Sequence, residues 1–219
     1  MRVTLEGFHA VKHALRFAPS LVRRITAVDP SAAVALCEQL APDLTSAFAA
    51  HVEEGPTEHP TGVAGVADRP AEERTVLSRR TSPLVVLDDP RHPGNAGAAI
   101  RVAAAAGASG VALVGSLDPW HPAVLRGSAG LHYALPVLSA GVPELAGPVW
   151  ALDADGEALG DVPDDVVMVV GSERVGVSPG LRERADRVVS LPMTPGVSSL
   201  NLATALSAAL YAWRLRRPS

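Results

Sequence analysis

The sequence predicts an α/β fold: a parallel sheet with helices on both faces, preceded by a smaller N-terminal unit of different texture. Three observations carry that expectation. Beyond residue 84, continuous apolar runs alternate with alanine-rich or amphipathic segments, as in strands buried on both faces and joined by helices. Hydrophobic residues make up 47% and charged residues 19% of the 219 positions, a composition that can bury a core. The stretch 70–82, PAEERTVLSRRTS, is polar and without apolar periodicity, a linker by composition.

Taken in order, residues 1–70 predict a helix over about 6–17, a short strand near 25–28, an alanine-rich helix at 31–40 and a strand at 62–67. In the second part, LVVLD (84–88) is a strand and GNAGAAIRVAAAAGA (94–108) a helix closed by glycine. GVALVG (110–115) is a strand, and HPAVLRGSAGL (121–131) is helical in its first half. VWALD (149–153) and VVMVVG (166–171) are strands, SPGLRERA (178–185) opens a helix, and RVVSL (187–191) is a strand. A final apolar helix starts at Leu200, with Leu200, Thr204, Ser207, Leu210 and Arg214 on one stripe and Leu202, Leu206 and Trp213 beside it. The domains expected are 1–70, a linker at 71–83, and 84–219.

Charge and cysteine content exclude several function classes. The net charge of −4 argues against indiscriminate nucleic-acid binding but permits a local basic patch. Lys12 is the sole lysine, and arginines cluster at 79–80, 182/184/187 and 214/216/217. One cysteine, Cys37, excludes an internal disulfide and a cysteine-built zinc site. The histidines give no ligand pair (His9 and His13 read as a solvated helix face), so no metal is expected. With no apolar run near the roughly 20 residues that span a bilayer and no signal-peptide core, a cytoplasmic location without membrane association is expected.

Ligands of such folds bind at loops beyond the carboxyl ends of strands, and three loops here carry chemistry. DDPRHPGNAGAAIR (88–101) places Asn95 at a helix start and Arg101 on its second turn. It has no dinucleotide fingerprint and the chain has no Walker lysine motif. GSERVGVSPG (171–180) brackets Glu173 with Gly171 and Gly176, permitting close backbone approach or simple helix capping. LPMTPGVSSLN (191–201) crowds Ser198, Ser199 and Asn201 at the mouth of an apolar helix, where capping is the plain reading.

Together, Asn95 with Arg101, Gly171-Ser172-Glu173 with Gly176, and Pro192-Met193 with Ser199-Leu200-Asn201 resemble the three motifs of SpoU-type (TrmH family) RNA 2′-O-ribose methyltransferases, in the SPOUT superfamily. RGSAGLHYALPV (126–137) is similar to the segment between the family's first two motifs, and the likeness covers about 84–215. More weakly, LEGFHAVKHAL and HPTGVAGVA resemble the family's small α+β RNA-binding domain of ribosomal-protein-like fold.

The resemblance implies a SPOUT-type sheet with a deep trefoil knot that shapes the cofactor pocket. It implies methyl transfer from S-adenosyl-L-methionine to a ribose 2′-hydroxyl of RNA, ribosomal RNA favoured over transfer RNA, by a homodimer packed through the knotted domain. A non-catalytic RNA-binding or ribosome-assembly factor of the same fold is the alternative from another class. By the resemblance Arg101, Asn95, Ser199, Asn201 and Glu173 are catalytic, Glu173 fixing loop geometry by pairing with Arg101. Gly171, Leu191, Met193, Gly196 and Leu200 line the cofactor pocket. Arg79-Arg80 and Arg214/Arg216/Arg217 become candidate phosphate contacts, and Leu210, Tyr211 and Trp213 candidates for core or dimer interface.

Overall fold

Alternating burial builds the first sheet. The computed structural model describes residues 1–217; the last two positions of the expected second domain lie outside the described residues. The N-terminal elements are β1 (Arg2–Glu6), α1 (Phe8–Phe17), β2 (Val22–Ala27), α2 (Pro30–Leu40), α3 (Thr45–Ala49), β3 (Val52–Glu54) and β4 (Val63–Asp68). The strands form one sheet in the order β1-β4-β2-β3. In α1, Phe8, Val11, Ala14 and Leu15 face the core, while His9 and Arg16 are exposed and Lys12 and His13 half-buried. Asp29 caps α2 by accepting from the Ala32 N–H at 3.0 Å.

The second sheet carries β5 (Leu84–Asp88), α4 (Pro93–Ala106), β6 (Gly110–Val114), α5 (Pro122–Gly127), β7 (Val137–Ser139), β8 (Val149–Ala158), β9 (Val167–Val170), α6 (Pro179–Arg184), β10 (Arg187–Ser190) and α7 (Leu202–Arg214). Its order is β10-β8-β9-β5-β6-β7, every neighbouring pair parallel. All five residues of β5 and all four of β9 are buried, which is why both read as unbroken apolar runs. Pro93 opens α4 and Gly107, at φ 79°, closes it. No helix among the described residues is long and apolar enough to cross a membrane.

Three expectations change. The stretch 71–83 is no free tether. Arg74–Leu77 forms a single 3₁₀ turn, Val76 and Leu77 are buried in the second core, and the Arg80 guanidinium donates to the carbonyls of Asp165, Val76, Leu77 and Ala146. The last helix starts at Leu202, and its buried stripe is Leu202, Leu206, Ala209, Leu210 and Trp213. Leu200 falls outside the helix, and Trp213 is core, its indole donating to Asp164 at 2.8 Å. His13, read as solvated, instead donates through Nδ1 to the Ala129 carbonyl at 2.7 Å.

That bond belongs to a seam between the two sheets. Trp120, Leu125 and Tyr133 of the second part join the N-terminal core with Leu5, Phe8 and Val11. A Cβ on Gly130 (φ 77°) would stand 2.7 Å from the Ala10 carbonyl oxygen, so only glycine lets this turn meet α1. Arg126 pairs with Glu6 at 2.5 Å.

Candidate active site

The middle of β8 and the loops after β9 and β10 surround one cavity of about 380 Å³, within the range of small-molecule sites, about 300–1,000 Å³. Its walls are Leu152, Asp153 and Ala154 at the bend of β8, Val170–Gly176 after β9, and Leu191, Met193, Ser198–Leu200, Leu202 and Ala205 from β10 into α7. Apolar side chains and loop backbone share the lining, with the carboxylates of Asp153 and Glu173 at its edge.

The loop after β9 folds on itself. Ser172 and Gly176 exchange two backbone hydrogen bonds of 3.0 Å. A Cβ on Gly171 would lie 2.0 Å from the Gly176 carbonyl carbon, so this glycine is required by the loop's own backbone. At its far end the Ser178 N–H donates to the buried Asp88 carboxylate at 2.5 Å, tying the loop to the end of β5. Asp153 is held by Arg182 at 2.8 Å, which also grips Asp155.

A polar relay joins the three loops. Asn201 caps α7, its Oδ1 accepting from Ala203 and Thr204 at 2.9 and 3.4 Å. That leaves its amide nitrogen free to donate to Asn95 Oδ1 at 3.3 Å, and Asn95 Nδ2 donates to Glu173 Oε1 at 2.6 Å. Each amide orientation thus dictates the next. The Arg91 N–H reaches the other Glu173 oxygen at 3.4 Å. Burial pushes the Glu173 carboxyl up, but the bonds from Asn95, its own N–H and Arg91, with the charge of His92, outweigh it and hold the carboxyl below its ordinary range.

Of the expected cofactor residues, Gly171, Leu191, Met193 and Leu200 line the cavity. Gly196 does not: it is exposed at φ 91°, in a turn closed by Val197 N–H to the Thr194 carbonyl. Glu173 and Ser199 line the cavity, and Asn95 and Asn201 reach it through Glu173. Glu173 is not Arg101's partner; it is held by Asn95. Arg101 lies on the exposed side of α4, beyond the relay. The arginine clusters are largely occupied: Arg80 by carbonyls, Arg216 by Asp161 and Arg217 by Asp164. Asp88 and Asp153 were not singled out from the sequence; the signal for both was a carboxylate at the end of an apolar strand.

Residues 82–211 match the SpoU rRNA Methylase family. The chain is 30% identical over 224 residues to the 23S rRNA (guanosine(2553)-2'-O)-methyltransferase of Bacillus subtilis, covering 94% of this chain and 86% of that one. It is 36% identical over 163 residues to the 23S rRNA (adenosine(1067)-2'-O)-methyltransferase of Streptomyces azureus, covering 68% of this chain and 60% of that relative's length. Among solved structures, the SpoU methyltransferase AviRb of Streptomyces viridochromogenes, in complex with AdoMet, superposes with a TM-score of 0.76 at 25% identity, over 98% of this chain and 90% of that one.

Proposed function

The chain belongs to the SpoU rRNA methylase family, and from that premise we propose that it is an S-adenosyl-L-methionine-dependent RNA 2′-O-ribose methyltransferase acting on ribosomal RNA. The observation that carries the site assignment is the relay Asn201–Asn95–Glu173, which draws three loops together at the rim of a 380 Å³ cavity.

The residues present fit the cofactor. Leu152, Val170, Leu191, Met193 and Leu202 offer apolar walls, and the backbone of 171–176 offers amides and carbonyls beside them. The carboxylates of Asp153 and Glu173 suit a ligand that carries positive charge and hydroxyls. When bound, the cofactor supplies a methyl group activated by a sulfonium.

The protein's own part is positioning and charge. A guanidinium is a poor proton acceptor and a strong anion partner, so Arg101 serves as an anion holder and not as a general base. It grips a phosphate of the substrate and stabilises the negative charge that develops on the 2′-oxygen. Ser199 and Asn201 orient the ribose, and Glu173 with Asn95 fixes the loop that floors the site.

We extend the reading to a trefoil knot and a homodimer. The knot is supported by the two late loops, 171–176 and 191–201, that wrap one cavity; the dimer by Tyr211 on α7 and Leu215 just beyond it, apolar yet exposed.

Transfer of labelled methyl to protein-free 23S rRNA and to bulk tRNA, taken from cells lacking the gene, tests the function. Label is expected in the rRNA, recovered as an alkali-resistant dinucleotide. Arg101→Ala should lower single-turnover transfer at least about a hundredfold, about 3 kcal/mol, with cofactor affinity near wild type. A rate within threefold of wild type would remove Arg101 from the site; label in the tRNA alone would move the substrate class.

A further inference from the structure

Most positive charge in this chain is already answered by acids. Arg182 pairs with Asp153 and Asp155, Arg187 with Glu157, Arg216 with Asp161 and Arg217 with Asp164. Among the described residues, neither Lys12 nor Arg101 has a carboxylate in ion-pair reach. The acid whose charge Lys12 feels, Asp43, is itself bonded to Arg16 at 2.6 Å.

Both cations lie beside one seam. Gly94, Gly97 and Arg101 are spaced by three and four residues and share a face of α4. Gly127 lies against the backbone of Gly94 and Gly97. Two residues further along, the Ala129 carbonyl takes the His13 proton, and Gly130 abuts Ala10 of α1. Arg101 therefore leaves α4 one turn beyond the packed glycine, at the seam where α1 is docked. On α1, His9, Lys12, His13 and Arg16 fall at helical spacing on the side opposite the Phe8–Val11–Leu15 core.

We propose that this seam is a phosphate clamp for the substrate RNA, in which Lys12 from the N-terminal unit and Arg101 from the second grip the same stretch of backbone. The inference rests on the rRNA methyltransferase reading above and adds to it a binding residue outside the three methyltransferase motifs. Consistent with a shared field, burial and then the charges of Arg16 and Arg101 lower the Lys12 pKa; burial and then Lys12 and Arg101 lower that of His9. With Asp43 already taken by Arg16, the remaining cations repel one another, and a phosphate relieves the repulsion. Because Lys12 and Arg101 sit on different units, the clamp exists only while α1 is docked, so docking sets the register of RNA on the active site.

The test is binding of a fluorescein-labelled, protein-free 23S rRNA transcript across a NaCl series. It uses the full chain as wild type, Lys12→Gln, Lys12→Arg and, as a surface-charge control, Arg24→Gln. Lys12→Gln should weaken binding about five- to tenfold at 100 mM NaCl and lower the salt slope by about 0.7–0.9, the release of one phosphate contact. Lys12→Arg should restore both, and Arg24→Gln should change neither. In methyl transfer, Lys12→Gln should raise KM for RNA with kcat within about threefold of wild type, calorimetric cofactor affinity and melting temperature staying unchanged. A wild-type salt slope in Lys12→Gln, or an equal loss in Arg24→Gln, overturns the clamp and leaves the methyltransferase reading intact. A Lys12-dependent slope in a wild type that methylates no RNA keeps the clamp and overturns the enzymatic reading.

Discussion

Asn201 shows how one side chain carries two duties. Its carbonyl oxygen caps α7 while its amide reaches Asn95, so capping and site assembly, rival readings of the sequence, are both true of it. The duties separate by substitution. Asn201→Ala loses the cap, worth about 1 kcal/mol, and should lower the melting temperature by roughly 2–4 °C. Asn201→Ser keeps a capping oxygen but offers no amide to Asn95, so it should melt near wild type and still transfer methyl at least about tenfold more slowly. Full activity in the serine variant would reduce Asn201 to a cap. At this scale the sequence was informative where residue type is decisive. Glu173, Asn95 and Met193 were legible as motif members, and all lie on the cavity or its relay. The partnership of Glu173 with Asn95 in place of Arg101 was not legible, because motifs give spacing along the chain and say nothing of which donor reaches which acceptor. Gly171 was legible as a glycine that permits close backbone approach; that the backbone of Gly176 is one such neighbour was not.

Among elements, the long buried strands and helices were legible to within a few residues, and three strands were missed. Those three, β1, β3 and β7, each lie at a sheet edge. Edge strands are partly exposed and short, so they lack the unbroken apolar run that marks β5 or β9. The loop after β9 is where an element-scale prediction is sharpest. Gly171→Ala drives a methyl into the backbone of 176–177, an overpacking that typically costs about 1–3 kcal/mol. The hairpin between Ser172 and Gly176 must then open, taking the cavity wall with it. The melting temperature should fall by roughly 2–10 °C and calorimetric cofactor affinity by at least about tenfold; wild-type values of both would show the loop to be more yielding than its contacts imply.

For the whole molecule, the decisive feature is the seam, and nothing in local periodicity could reveal it: His13 meets Ala129 across 116 residues of chain. Beside it His132 is buried against Trp120, its Nε2–H bonded to the Pro119 carbonyl at 2.8 Å and its Nδ1 facing Ser128. Burial drives its pKa down to about 4. The unfolded chain takes up that proton near pH 6.5 while the folded one refuses it until about pH 4. Stability from this group is therefore full above pH 6.5 and falls as pH descends, by about 2–3 kcal/mol at pH 4.5. Urea unfolding at pH 7 and 4.5 should show that loss in the wild type and a correspondingly smaller one in His132→Gln; parallel losses would place the acid sensitivity elsewhere.

The cavity walls come from residues 152–154, 170–176 and 191–205, all in the last third of the chain, although β5 and α4 that support them are made far earlier. During synthesis, the N-terminal sheet and the first parallel strands can form while no pocket yet exists. A nascent chain halted past α1 but before residue 191 holds the stripe of α1 that we assign to RNA, yet lacks the 191–205 wall of the pocket. Catalytic competence thus arrives as a late, all-or-none event of biosynthesis, and unfinished chains can touch RNA without marking it.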